Sequence, residues 1–132
     1  MLRILFIPMK PKFPKKLSQT MDNKEIETAK AFIVVEIIEY VPDSVGIKTI
    51  ITKTTGKIKA VSFDAGNAIK EKIIPFDTFV QIIDGKAEVV IDGTSNILDT
   101  GQSIIIPAHT ANILKANERF KMISTVIKSG YE

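Results

Sequence analysis

The chain contains no cysteine and only one histidine, His109. Without thiols it can form no disulfide, no thiolate metal site and no cysteine nucleophile. A single imidazole cannot supply a three-histidine centre. No apolar run reaches the ~18 residues of a membrane-spanning helix, so no membrane partner is expected. A phosphate-binding glycine loop, a nucleophile elbow and a helix-turn-helix pattern are also missing. The body of the chain lacks an excess of positive charge as well. Arg3, Lys10, Lys12, Lys15 and Lys16 stand in the first 20 residues without an acid, so the net +3 divides into +5 there and −2 over the remainder. The high isoelectric point belongs to that leader, and no nucleic-acid partner follows from it. A cytoplasmic location is the expectation, and the absence of cysteine is compatible with it.

The 132 residues, 45% of them hydrophobic, suit one compact domain with its own core. Residues 1–21 read as a basic arm, either disordered or loosely docked, or as a start assigned too early, since Met21 opens the more domain-like sequence. The run LRILFIPM is broken by Arg3 and Pro8 and fits poorly the ~7–15-residue apolar core of a secretory signal. The domain is expected over residues 22–132. Its first part, residues 22–31, is rich in helix formers, with Asp22 or Asn23 as a cap, and predicts a short N-terminal helix. FIVVEIIEY is β-branched, ends before Pro42-Asp43, and predicts a strand.

From there the signal is strand upon strand: VGIKTIITK, KIKAVSFDA, FVQIID, AEVVID, SIIIPA and FKMISTVI, with glycine-containing turns between them. Asp84-Gly85 and Asp92-Gly93 both have the residues of a two-residue type I′ hairpin, whose central positions need φ > 0. In AEVVI, alternation puts Ala87, Val89 and Ile91 on one face and Glu88 and Val90 on the other. Such a pattern predicts an antiparallel sandwich or barrel. Periodicity alone does not say whether it encloses a pocket.

Two spacings add to this. Gly66 is followed after five residues by Lys72, then by Ile74, Thr78 and, six residues further on, Gly85. Gly101 is followed after five residues by Pro107, then by His109, Asn112 and Ala116. The stretch from about Ile38 to Lys128 thereby resembles the small single-domain cupins. The phrases PFDTFVQIIDG, DTGQSIIIPA and NILKANERFKM carry the likeness beside the glycines and proline. The resemblance implies an all-β double-stranded β-helix, the jelly-roll barrel, here preceded by the short helix. It also implies a homodimer, built through sheet faces and exchanged terminal strands, to which FIVVEII could add a strand.

In the family's motifs the positions of Lys72, Ile74, Thr78 and Asn112 hold His, His, Glu and His, the ligands of a metal. Here Ile74 offers no donor, Lys72 presents an ammonium, and Thr78 and Asn112 are neutral oxygen donors, so no metal and no cofactor are expected. Lys72 has the charge to take over a cation's part in holding an anion.

His109 reads either as a displaced ligand or general acid/base at the barrel mouth, or as an ordinary loop residue after Pro107. Gln81 faces either the interior or solvent. The expected function is binding of a small polar or anionic molecule, with Lys72, Asn112, Gln81, His109 and Thr78 as candidate contacts. The alternative implied by the resemblance is a cupin-type enzyme, an isomerase, epimerase, lyase or dioxygenase. It would have a rebuilt or metal-free site drawing on His109, Lys72 and Asp77.

Overall fold

The computed structural model describes residues 19–22 and 25–128. Its strands, in chain order, are β1 (Gln19–Asp22), β2 (Val45–Lys53), β3 (Gly56–Phe63), β4 (Ala68–Glu71), β5 (Thr78–Ile91), β6 (Thr94–Asp99), β7 (Ser103–Ile106), β8 (Asn112–Lys115) and β9 (Phe120–Ile127). One face-to-face layer runs β1-β2-β3-β9-β5-β7, the other β4-β8-β5-β6. Every pairing is antiparallel except that of β1 with β2. This is the expected jelly-roll.

β5 belongs to both layers, and Asp84-Gly85 is the device that allows it. The pair was expected to close a hairpin; instead it lies within one 14-residue strand, at a register shift between Ile82 and Asp84 in the pairing with β9. Before the shift the inward residues are Val80 and Ile82; after it they are Ala87 and Val89. A one-residue slip of a strand flips its faces. The bulge supplies that slip just where the strand passes from one layer to the other, so both halves still present apolar residues to one core. Gly85 has φ +85 and lies so close to β9 that a Cβ would overlap the carbonyl oxygen of Arg119. Asp92-Gly93, by contrast, is a hairpin, with φ 50 and 84 between Ile91 and its partner Thr94.

The core fills the space between the layers. Phe63 on β3 and Phe120 on β9 are directly paired, both fully buried, and stacked with ring centroids 4.6 Å apart. Val45, Val61, Ile82, Val89 and Leu98 pack around them.

The two expectations for the segment before β2 are corrected. No helix forms over residues 22–31 among the described residues: 25–30 are irregular, Ala29 has φ 63, and the segment is exposed apart from half-buried Ile26. With Ile26 as its one large apolar residue it has no face to bury, and an isolated helix this short is marginal in water. FIVVEIIEY is not a strand either. It forms a 3-10 turn (Val34–Glu36) and continues as a strap over the outer surface of β3 and β9. Its apolar residues do not alternate: Phe32 and Ile33 are exposed while Ile38 is buried. Of the expected basic arm, residues 1–18 lie outside the described residues, and Gln19–Met21 belong to β1.

Polar anchors hold the strap. The Lys121 ammonium donates to the carbonyl of Val35 (2.7 Å), and the Ser62 hydroxyl to that of Glu39 (2.8 Å). The Tyr40 hydroxyl donates to Asp84 (2.5 Å), and its ring lies under the Arg119 guanidinium, 3.8 Å from the centroid. Burial and the Asp84 carboxylate both push the Tyr40 hydroxyl well above the usual tyrosine range. A raised acid pKa contributes stability at pH values below the unfolded pKa, here about 10, and loses it as pH rises further. Tyr40→Phe is therefore expected to lose about 1.5–3 kcal/mol at neutral pH, the worth of a hydrogen bond to a charged group. The deficit should shrink in urea titrations repeated above pH ~10. A constant deficit across that range would mean the hydroxyl is not engaged in this way.

Candidate functional site

Six strand ends meet at one end of the sandwich: the starts of β3, β5 and β8 and the finishes of β4, β7 and β9. Between them lies a cavity of about 320 Å³. Its floor is the upper surface of the core, formed by Val80, Ile106, Leu114 and Met122, each at most 5% exposed. The walls follow from strand alternation. On β3, Lys57 and Lys59 have the same parity as Val61 and Phe63, which are core residues, so they face inward. On β9 the same parity brings Met122, Ser124 and Val126 to the cavity, with Lys128 just beyond the strand. Lys72 follows β4, whose last residue, Glu71, is the one carboxylate lining the cavity among the described residues. Lys57, Lys59, Lys72 and Lys128 make no ion pair among the described residues.

Asn112 opens β8 and sits between Glu71 of β4 and Ile91 of β5. It lines the cavity and is 7% exposed, and its buried Oδ1 meets no hydrogen-bond donor among the described residues. Such an acceptor ordinarily finds a partner when buried.

Of the residues picked out in the sequence, Lys72, Thr78 and Asn112 line this cavity together with Ile74. Gln81 does not. It is exposed on the opposite face of β5 from Val80 and Ile82, beside Ser103 and Ile123. His109 is exposed in a left-handed conformation, φ 62, and is not among the lining residues. Its backbone N–H donates to the carbonyl of Ile74 (2.7 Å), and the Asp77 carboxylate accepts from the N–H of Ala108 (2.9 Å). These bonds tie the loop after β7 to the segment between β4 and β5, and so fix the rim. Lys57, Lys59, Glu71, Lys128 and the apolar floor were not singled out from the sequence.

No family model and no curated protein matches the chain. Solved structures do. A conserved Streptococcus pyogenes protein of unknown function is 31% identical with TM-score 0.74, over 78% of this chain and 90% of its own. A cupin 2 conserved barrel domain protein from Leptotrichia buccalis is 26% identical with TM-score 0.71, over 74% of this chain and 47% of its own, so this chain spans about half of it. A cupin superfamily protein from Desulfitobacterium hafniense is 22% identical with TM-score 0.73, over 80% and 97%.

The chain has the cupin fold.

In this cupin fold Lys72, Ile74 and Thr78 converge on one cavity with Asn112, far from them in sequence. The residues present do not fit a divalent transition metal. Such an ion wants imidazole and carboxylate donors, whereas the cavity offers one carboxylate, neutral oxygens and ammonium groups that repel a dication. Among the described residues no three His, Cys, Asp or Glu side chains stand together elsewhere either.

Proposed function

We propose that this cupin-fold protein binds a small anionic molecule in the cavity, with lysine ammonium groups holding the negative charge. One observation carries the reading: four lysines line a concave site with a single carboxylate and no ion pair of their own among the described residues. Like charges gathered over a low-dielectric floor repel one another and concentrate a positive potential, which an entering anion relieves. Lys57 and Lys59 matter most. They are half-buried, so an ion pair with them is less screened than one with exposed Lys72 and Lys128. Binding is favoured over turnover because His109 and Asp77, the acid–base pair a metal-free reaction would draw on, are absent from the lining.

Titration calorimetry with benzoate and with inorganic phosphate tests this, at low and at physiological salt. At least one anion is expected to bind at millimolar concentration or below, more weakly as salt rises. The double substitution Lys57→Gln with Lys59→Gln should weaken it at least about tenfold, equivalent to ~1.4 kcal/mol. Neither anion binding, or the double variant binding as well as the parent, would sink the reading.

A further inference from the structure

The anion-binding reading rests on charge alone, and the rest of the cavity narrows the ligand further. We infer that the ligand is a small carboxylic acid with an apolar body and, remote from the carboxylate, a hydroxyl or N–H group that donates to Asn112. This inference depends on the anion-binding reading and deepens it.

Size comes first. About 320 Å³ stands at the lower end of the ~300–1,000 Å³ range of small-molecule pockets, which suits a small ligand.

The floor sets the body. Val80, Ile106, Leu114 and Met122 are all closed off from solvent and present carbon to the cavity, and Phe76 and Val126 extend that surface. A polyhydroxylated body, such as a sugar acid, would set against this carbon floor the hydroxyls that do not reach Glu71, Thr78, Thr110 or Ser124 on the walls. Each unmatched hydroxyl carries a desolvation penalty. An apolar chain or ring instead gains by leaving water.

The acceptor sets the second group. Asn112 Oδ1 is buried and unpartnered among the described residues, and a carbonyl oxygen can only accept. A second carboxylate is therefore the wrong group to meet it, and a donor is the right one. The direction of the ligand follows from topology. Lys57 and Lys59 stand on β3 in one layer and Asn112 on β8 in the other. Facing layers lie about 10 Å apart. The anionic end and the donor are thus held from opposite walls, and the apolar body spans the floor between them.

The test is titration calorimetry on the full chain with two matched pairs, benzoate against para-hydroxybenzoate and hexanoate against hydroxyhexanoate, plus galacturonate and inorganic phosphate. At least one hydroxyl-bearing acid is expected to bind about two- to tenfold more tightly than its unhydroxylated partner, the span of one hydrogen bond. That gap should vanish in Asn112→Leu. The apolar acids should bind more tightly than galacturonate or phosphate.

Asn112→Leu removes an unpartnered buried acceptor and nearly conserves volume, so it is expected to melt no lower than the parent. Should it melt lower, Asn112→Ala gives the same comparison. A gap that survives loss of Asn112, or no gap in either pair, overturns the inference. So does tighter binding of galacturonate or phosphate, although anion binding itself would then stand. Absence of binding by every probe overturns both.

Discussion

Phe120→Ala is expected to lower stability by about 3–5 kcal/mol, the usual range for truncating a fully enclosed phenylalanine. Phe120 is 0% exposed and stacks on Phe63 at 4.6 Å with the rings 12° from parallel. The pair joins neighbouring strands at the end of the sandwich away from the cavity. Truncation removes both the ring's burial and the stacking partner of Phe63, and the strands on either side are too constrained to collapse into the gap. Small domains have about 5–15 kcal/mol of stability in total, so this is a large share of it. A fall in the melting midpoint on the order of 10–20 °C is the corresponding thermal result. Ile105→Ala, at a site 61% exposed, serves as the comparison and is expected to change stability by no more than ~0.5 kcal/mol. Equal losses from the two substitutions would mean that the ring pair does not anchor the core.

Gly85→Ala is the second large effect, at about 2–5 kcal/mol. Two terms contribute. A left-handed conformation is strained for any residue with a Cβ, by ~1–3 kcal/mol. The second term is steric: the new Cβ would overlap the Arg119 carbonyl oxygen and lie 2.9 Å from the Phe120 Cα. Those are backbone atoms of a paired strand and cannot rotate aside, so relief requires β5 and β9 to separate, at ~1–3 kcal/mol for overpacking. Gly93 isolates the first term. It has nearly the same φ, +84, but nothing within 4 Å of where a Cβ would stand, so Gly93→Ala should cost only the conformational strain. Urea midpoints at unchanged denaturant slope measure both. If the two glycines prove equally replaceable, β5 and β9 do not approach as closely as described.

Local chemistry made much of this fold legible. VGIKTIITK and FKMISTVI correspond residue for residue to β2 and β9, because each is a β-branched run ended by turn residues. The spacings from Gly66 and Gly101 brought Lys72, Ile74, Thr78 and Asn112 to one cavity, because strand register translates a fixed interval into a fixed place. Asp84-Gly85 misled for the opposite reason. The same dipeptide serves a hairpin at Asp92-Gly93 and a bulge at Asp84-Gly85, and only the distant β9 decides between them. Lys57 and Lys59 have a readable signal: in KIKAVSF they fall in phase with Val61 and Phe63. The signal was ambiguous, since Ile58 and Ala60 make the other face apolar as well. The helix expected over residues 22–31 reflected propensity without an apolar face, and propensity alone does not hold so short a segment.

The continuity of β5 bears on how the molecule is assembled. Its first half pairs with β7 and β9 and its second half with β6 and β8, so neither layer can be completed while the other is unmade. Its partner β9 must in turn reach back to β3, where Gly56 meets Ile127 across most of the domain's length. Contacts so distant in sequence are closed late and slowly. The chain has no half that can be retained alone, and a break in β5 propagates to both layers as a single cooperative event.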